Sequence, residues 1–318
     1  MALQGSGTIT LKNVADEFDN TAPYSMSEFY RGGAEVPEAT ENANVPTSGA
    51  ISLGNFYGAT KRIQYNLTLS SNTSSGLNLK TLAQAAGKYS AGITDITVTV
   101  NSGVYVGSPS DGTSYAITTS GLVSGDIVNI INNGYILGAG GKGANGGSCC
   151  ASQAPSGNAG GRGIYASVAT NITNFGTIAG GGGGGGGGGA CKSHGGTLTG
   201  CGASGGGAGA GYAFGSGGVG TVGINGTGQN GGNGGYISAG DGGPLIYAIG
   251  GQQSGSYSGA AGDGGGLGTA GSSGQVSFVN YYDWVAQDGG SGGAAGYYLV
   301  GNSNVTWVAT GTRLGQVA

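Results

Sequence analysis

The sequence predicts a mainly β protein. A small N-terminal anchor of helical turns and a β-sandwich-like middle domain lead into a C-terminal bundle of polyglycine II helices with intervening loops. Three observations carry that expectation. From Gly138 onward lie 63 of the 79 glycines, and Gly180 to Gly189 are ten in succession. Apolar and polar residues alternate with period two over 65–69 and 96–100, the pattern of half-buried strands. Residues 1–60 hold short apolar runs, each preceded by a Ser or Thr placed as an N-cap.

Residues 1–60 contain an internal repeat. Gly7-Thr8-Ile9-Thr10-Leu11-Lys12-Asn13 recurs as Gly49-Ala50-Ile51-Ser52-Leu53-Gly54-Asn55, and Ser25-Met26-Ser27-Glu28-Phe29-Tyr30 recurs as Ser52-Leu53-Gly54-Asn55-Phe56-Tyr57. The apolar anchors are Val14, Phe18, Phe29, Tyr30, Phe56 and Tyr57. So few residues are expected not to bury a core of their own, so this segment is read as an attachment piece whose aromatics rest on a partner or on another copy of the chain.

Residues 61–137 form the β-rich domain. Strands are expected at 65–69, 96–100, 103–106, 115–119, 127–131 and 135–137. Leu79, Leu82, Ala83 and Ala86 follow a helical spacing that stops at Gly87.

The glycine-rich domain spans 138–296. Ordering one backbone residue costs roughly 1–2 kcal/mol and glycine has no side chain to bury in return, so a flexible linker is the alternative reading. A second repeat argues for order. Asn129-Ile130-Ile131-Asn132-Asn133-Gly134-Tyr135-Ile136-Leu137-Gly138 matches Asn171-Ile172-Thr173-Asn174-Phe175-Gly176-Thr177-Ile178-Ala179-Gly180, and each copy launches a glycine run. An Asn-Gly turn between two strands is read into each copy. Ordered glycine must be held by main-chain hydrogen bonds. A polyproline II conformation, with three residues per turn and no internal bonds, turns those groups toward neighbours. Residues 297–318 return to ordinary composition and read as a C-terminal β hairpin.

Composition excludes several classes. Charged residues make up 8% and the net charge is -4, without the clustered Lys and Arg that nucleic acid requires. No apolar stretch nears the roughly 20 residues of a membrane span, and MALQGSGTIT lacks the layout of a secretory leader, so a soluble chain without membrane insertion is expected. Cys149, Cys150, Cys191 and Cys201 do not come in C-x2-C pairs, and His194 falls between the last two. No metal site or other cofactor is therefore expected, and a disulfide, for instance between Cys191 and Cys201, is the candidate role in an oxidising medium. The acids beyond residue 137 are Asp241, Asp263, Asp283 and Asp288. Asp283 and Asp288 flank Trp284 in the manner of a glycosidase pair, but acids beside aromatics are more often recognition or surface groups, and no enzyme activity is expected.

Side-chain variety is concentrated where the glycine pattern breaks. Tyr247, Tyr257, Tyr281, Tyr282, Asp283 and Trp284, with His194, are the candidate receptor-contact residues. Tyr212 and Phe214 lie in a similar break. Tyr and Trp supply large contact area at small entropic cost and stack on sugar faces; packing against the glycine helices is the other reading for each ring.

The paired N-terminal elements, the stretch NNGYILGAGGKGANGG and the closing GNSNVTWVATGTRLG resemble glycine-rich tail and tail-fibre proteins of tailed bacteriophages. The glycine-rich half is similar in kind to the tip adhesins of T-even-type tail fibres. The resemblance implies a virion protein made in the bacterial host cytoplasm. Its partners would be other tail-fibre or baseplate proteins and a host glycan or outer-membrane protein, with a homotrimer among the assemblies to consider. Phe18, Phe29, Tyr30, Phe56 and Tyr57 are then the candidate attachment residues. The alternatives are a structural tail or baseplate protein without receptor contact, or an ice-binding polyglycine II protein. Thr197, Thr199, Thr221 and Thr227 show none of the regular spacing an ice face needs.

Overall fold

The computed structural model describes residues 2–148, 153–190, 192–193, 202–223, 226–245, 257–279 and 284–318. The N-terminal residues fold around helix α1, Leu11–Glu17, and three 3-10 turns at Met26–Glu28, Thr40–Asn42 and Leu53–Phe56. The sequence repeat is a repeat of caps. Thr10 with Asn13, Ser25 with Glu28 and Ser52 with Asn55 each form a reciprocal capping box, satisfying N–H groups that a short helix otherwise leaves open.

Contrary to the expectation from length, this module buries a core of its own. Phe18, Phe29 and Phe56 are fully buried together with Val14, Val36 and Val45, and their rings lie 6.2 to 6.5 Å apart in tilted and edge-on contacts. Tyr30 and Tyr57 are half-buried, and their hydroxyls donate to the carbonyls of Gly49 and Gly7. The capped turns aim all three phenylalanines at one point. The module meets the rest of the chain at its last residue, Thr60, which Asn42 holds: the Asn42 side chain donates to Thr60 O (3.0 Å) and accepts from Thr60 N (2.9 Å). Ion pairs of Lys61 with Asp19 and Lys88 with Glu41 reinforce that join.

From residue 63 the chain winds through three parallel sheets in turn. The first coil holds β1 (Ile63–Leu69) and β2 (Leu77–Asn78), and helix α2 (Leu79–Ala85) comes directly after. The second holds β3 (Thr94–Val100), β4 (Tyr105–Gly107) and β5 (Tyr115–Thr118). The third holds β6 (Ile127–Asn132), β7 (Tyr135–Leu137) and β8 (Arg162–Tyr165). The fourth opens with β9 (Thr170–Asn174) and β10 (Thr177–Ala179). Among the described residues of the glycine-rich region, four two-residue strands follow: β11 (Lys192–Ser193), β12 (Val222–Gly223), β13 (Gly226–Thr227) and β14 (Trp284–Val285). Afterwards β15 (Tyr297–Val300) completes the fourth coil, and β16 (Val305–Ala309), β17 (Thr312–Leu314) and β18 (Gln316–Val317) make the last. The three sheets run β1-β3-β6-β9-β16, β4-β7-β10-β17 and β2-β5-β8-β15-β18.

This arrangement replaces the sandwich expected for 61–137 and the hairpin expected for 297–318. Within the coils, strands consecutive in sequence lie in different sheets, and each pairs with its counterpart one coil away. In β3 and β6 every second residue turns inward to a shared core of Ile96, Val98, Val100, Val128, Ile130, Ile172 and Ile117. Alternation marks one buried face and is silent about which strand lies beside which. Leu79 and Ala83 of α2 pack into the same core. Asn78 caps that helix through Thr81 N (3.0 Å), and Gly87 ends it in the left-handed region at φ 67°.

The Asn-Ile repeat occupies adjacent coils in register, with Asn129 opposite Asn171, Asn132 opposite Asn174 and Ile136 opposite Ile178. Gly134 and Gly176 turn corners between sheets; the strands on either side of each do not pair with each other. At the corner Asn132 Nδ2 donates to Asn174 Oδ1 (2.8 Å), and Asn132 Oδ1 accepts from Gly134 N (3.1 Å). Asn174 Nδ2 passes on to Thr310 O and Thr312 O in the last coil. Both asparagines are buried. Asn132→Ala would leave Gly134 N–H without a partner and take from Asn174 Oδ1 one of its two donors, the other being Gly176 N (3.2 Å). At about 1–3 kcal/mol per orphaned buried group, we expect a clear loss in the thermal or denaturant midpoint, and an unchanged curve would mean water takes over the ladder.

The glycine segments leave the coils after β7 and after β10. The central run makes a hydrogen-bond pattern of period three. Gly181, Gly184 and Gly187 donate to Gly161, Asn158 and Pro155. Gly182, Gly185 and Gly188 donate to Ala210, Gly207 and Ser204, and Gly183, Gly186 and Gly189 donate to Thr269, Ser272 and Gln275. Their carbonyls accept from three further segments, at Gly141, Ala144 and Gly147, at Gly265, Gly262 and Gly259, and at Gly296, Gly293 and Gly290. All these bonds measure 2.7 to 3.1 Å. The run is buried throughout and carries no strand ladder. Of its six neighbours, 141–147 and 269–275 run parallel to it and the other four antiparallel, as the order of partner numbers requires.

Candidate functional site

At the end of the central run, past Gly189, side chains take over from main chain. Ala190 N donates to Gln287 Oε1 (2.7 Å), and Gln287 Nε2 donates to Ser148 O (2.9 Å). Gln287 N donates to Ser277 Oγ (2.8 Å), and that hydroxyl donates to Ala190 O (3.0 Å). Beside it, Thr221 Oγ1 donates to Gly147 O (2.7 Å) and accepts from Ala203 N (2.9 Å), while Ser204 Oγ donates to Pro244 O (2.6 Å). Gln287, Ser277 and Ser204 are buried. A buried carboxamide or hydroxyl stays cheap only when bonded, and here each closes a gap in the main-chain lattice. These polar residues therefore gird the roots of the segments that break the glycine pattern.

Two of those segments meet. β11 and β14 pair antiparallel, Lys192 opposite Val285 and Ser193 opposite Trp284. Tyr257 and Phe278 form a further antiparallel bridge with reciprocal 2.9 Å bonds, and their rings stack at 5.2 Å. Phe278 is 47% exposed. Of the candidate receptor residues, Tyr257 is thus in this end region, and Trp284 contributes its main chain to β14. His194, Tyr247, Tyr281, Tyr282 and Asp283, and the cysteines Cys191 and Cys201, lie outside the described residues.

Tyr212 and Phe214 belong elsewhere. Tyr212 N donates to Gly138 O (3.1 Å), where the first glycine segment leaves the coils. There Tyr105 stacks on Tyr135 at 4.3 Å, Tyr236 closes on Tyr105 and Tyr212, and Phe214 stands edge-on to Tyr236 at 4.8 Å. Burial, followed by its neighbour Tyr135, pushes the Tyr105 phenol above its ordinary range. Leu137, Ala179, Ala210 and Leu267 pack beneath. The rings form a joint between the glycine-rich body and the coils, the packing role weighed against recognition for these residues.

Sequence reasoning did not single out Gln287, Ser277 or Tyr236. The one signal for the first two was their place in 276–288, a segment of richer composition between glycine runs. Among the described residues no helix is long and apolar enough to cross a membrane, and no group of three or more His, Cys, Asp or Glu could hold a metal ion.

The family model of the phage tail fibre adhesin Gp38 matches residues 64–318, which takes in every coil and the whole glycine-rich body. The chain belongs to that family. A Gp38-family adhesin is a component of the virion tail, and the family is a structural and binding one, so the chain is not an enzyme. Among solved structures, the fold is similar to one described as the crystal structure of the gp37-gp38 adhesin tip complex of the bacteriophage S16 long tail fiber. It is 22% identical with a TM-score of 0.50, over 100% of both chains. No curated protein matches the sequence.

Proposed function

We propose that this Gp38-family chain binds a host-surface receptor, a glycan or an outer-membrane protein, through the segments 190–201, 244–258 and 276–288, displayed on a polyglycine II bundle. The observation that carries the reading is the saturated period-three hydrogen bonding of Gly181 to Gly189. That period is the one a threefold helix without internal bonds presents to its neighbours. A lattice of this kind is rigid without side chains, so recognition falls to the places where side chains return, and binding residues generally sit on loops carried by a rigid scaffold. The roots of these segments are tied by Gln287, Ser277, Thr221 and Ser204, which supports a common end.

The S16 relative is described in complex with gp37, and by analogy we read this chain as mounted on another tail-fibre protein. Residues 1–60 are the candidate mount. Their three phenylalanines are buried, so they hold the module's shape while its outer surface meets the partner.

The receptor reading is tested on intact particles. Trp284→Ala and Tyr282→Ala should each lower adsorption to susceptible cells tenfold or more, which corresponds to about 1.4 kcal/mol or above, with particle assembly unchanged. Wild-type adsorption by both variants would move recognition away from this segment.

A further inference from the structure

Resting on the receptor-binding reading, we infer that Gln287 is a positioning residue that makes the segments 190–201 and 276–288 act on the receptor as one unit. Nine consecutive N–H groups, Gly181 to Gly189, bond main-chain carbonyls. Ala190 N is the next, and its acceptor is a side chain, Gln287 Oε1. The main-chain lattice is indifferent to sequence as long as glycine is kept. Here a side chain sets where the chain goes next. Gln287 is 1% exposed, and its carboxamide uses both ends, accepting from the root of 190–201 and donating to Ser148 O. Its own main chain closes the base of 278–286 against Ser277, with Gln287 N on Ser277 Oγ and Ser277 N on Gln287 O (3.0 Å). Ser277 Oγ in turn donates to Ala190 O.

Space at the knot is fully used. A Cβ at Gly147 would overlap Gln287 Oε1, and one at Gly189 would overlap Gln287 O. Beyond the knot the same two segments pair again, Lys192 with Val285 and Ser193 with Trp284. Two roots joined below and a ladder joined above make a closed ring. Displacing Ala190 therefore displaces the main chain of 284–287 with it, and the main-chain position of Trp284 depends on the carboxamide at Gln287. Only a group that donates and accepts at once can serve: glutamate at pH 7 cannot donate, and leucine does neither.

The test uses intact particles carrying Gln287→Leu, Gln287→Glu or Ser277→Ala, alone and combined with Trp284→Ala, with Asn132→Ala as a control for stability. Adsorption rate and the melting curve of the tail-fibre protein are both read. We expect Gln287→Leu and Gln287→Glu to slow adsorption tenfold or more. We also expect Gln287→Leu combined with Trp284→Ala to lose no more than the larger single loss, since coupled residues are not additive. Asn132→Ala should lower the melting midpoint and leave adsorption alone. Wild-type adsorption by Gln287→Leu, or losses that multiply in the double variant, would overturn the inference. Should Gln287→Leu fail to assemble, Ser277→Ala, which deletes one hydroxyl, decides by the same two readouts. Replacing 280–283 by a Gly-Ser linker separates the failures. If that leaves adsorption intact, the reading of 276–288 as receptor contact and this inference fall together. If it abolishes adsorption while Gln287→Leu adsorbs normally, the inference alone falls.

Discussion

Gly184→Val is expected to unfold or misassemble the glycine-rich body, the largest effect anticipated for any single substitution in it. The position has no room on any side. Gly184 N donates to Asn158 O (2.8 Å) and its carbonyl accepts from Gly293 N (2.7 Å), while a Cβ would overlap the carbonyl of Lys142. Relief requires the 138–147 segment to withdraw, and bonds such as Gly141 N to Gly182 O and Ala144 N to Gly185 O go with it. Each buried group so orphaned costs roughly 1–3 kcal/mol, so even three amount to several kcal/mol, a large share of the roughly 5–15 kcal/mol that holds a domain together. Gly5→Ala is the control, since a Cβ there meets nothing within 4 Å. Melting of the two variants beside the wild type measures the difference. Coincident curves for Gly184→Val and wild type would show that the run does not depend on these contacts.

Phe56→Ala is expected to undo the N-terminal module while leaving the coils folded. Phe56 is fully buried and stands edge-on to both Phe18 (6.5 Å) and Phe29 (6.2 Å), so its removal leaves a hole between two rings held by short capped turns. Loss of a buried Phe costs about 3–5 kcal/mol. A module of some 60 residues has little more than that in reserve. Limited proteolysis should cut within residues 1–60 of the variant and spare 61–318. If the module is the mount, particles carrying the variant should also lose the adhesin. A variant that resists proteolysis as the wild type does would mean that the module draws its stability from elsewhere.

These two substitutions also separate what was legible in the chain from what was not. Periodicity located the strands at 96–100 and 127–131 and the helix ending at Gly87, because alternation and 3.6-residue spacing report burial of one face whatever lies opposite. The capping boxes at Thr10, Ser25 and Ser52 were legible for the same reason: donor and acceptor are three residues apart. The ten glycines, with no side chains to bury, require neighbours on every side if they are ordered. By itself, then, the sequence determined the local elements and the need for main-chain bonding. Tertiary structure decided the partners. Alternation in β3 and β6 is the same in a sandwich and in a parallel coil, and only the register of Asn132 on Asn174 makes the repeat a stack of coils. The convergence of Phe18, Phe29 and Phe56 depends on three separate turns meeting. Ala190 and Gln287 are 97 residues apart, and a hydrogen bond across that separation leaves no periodic trace in the chain. Glycine hides it further, since a run without side chains looks the same whichever segment it touches.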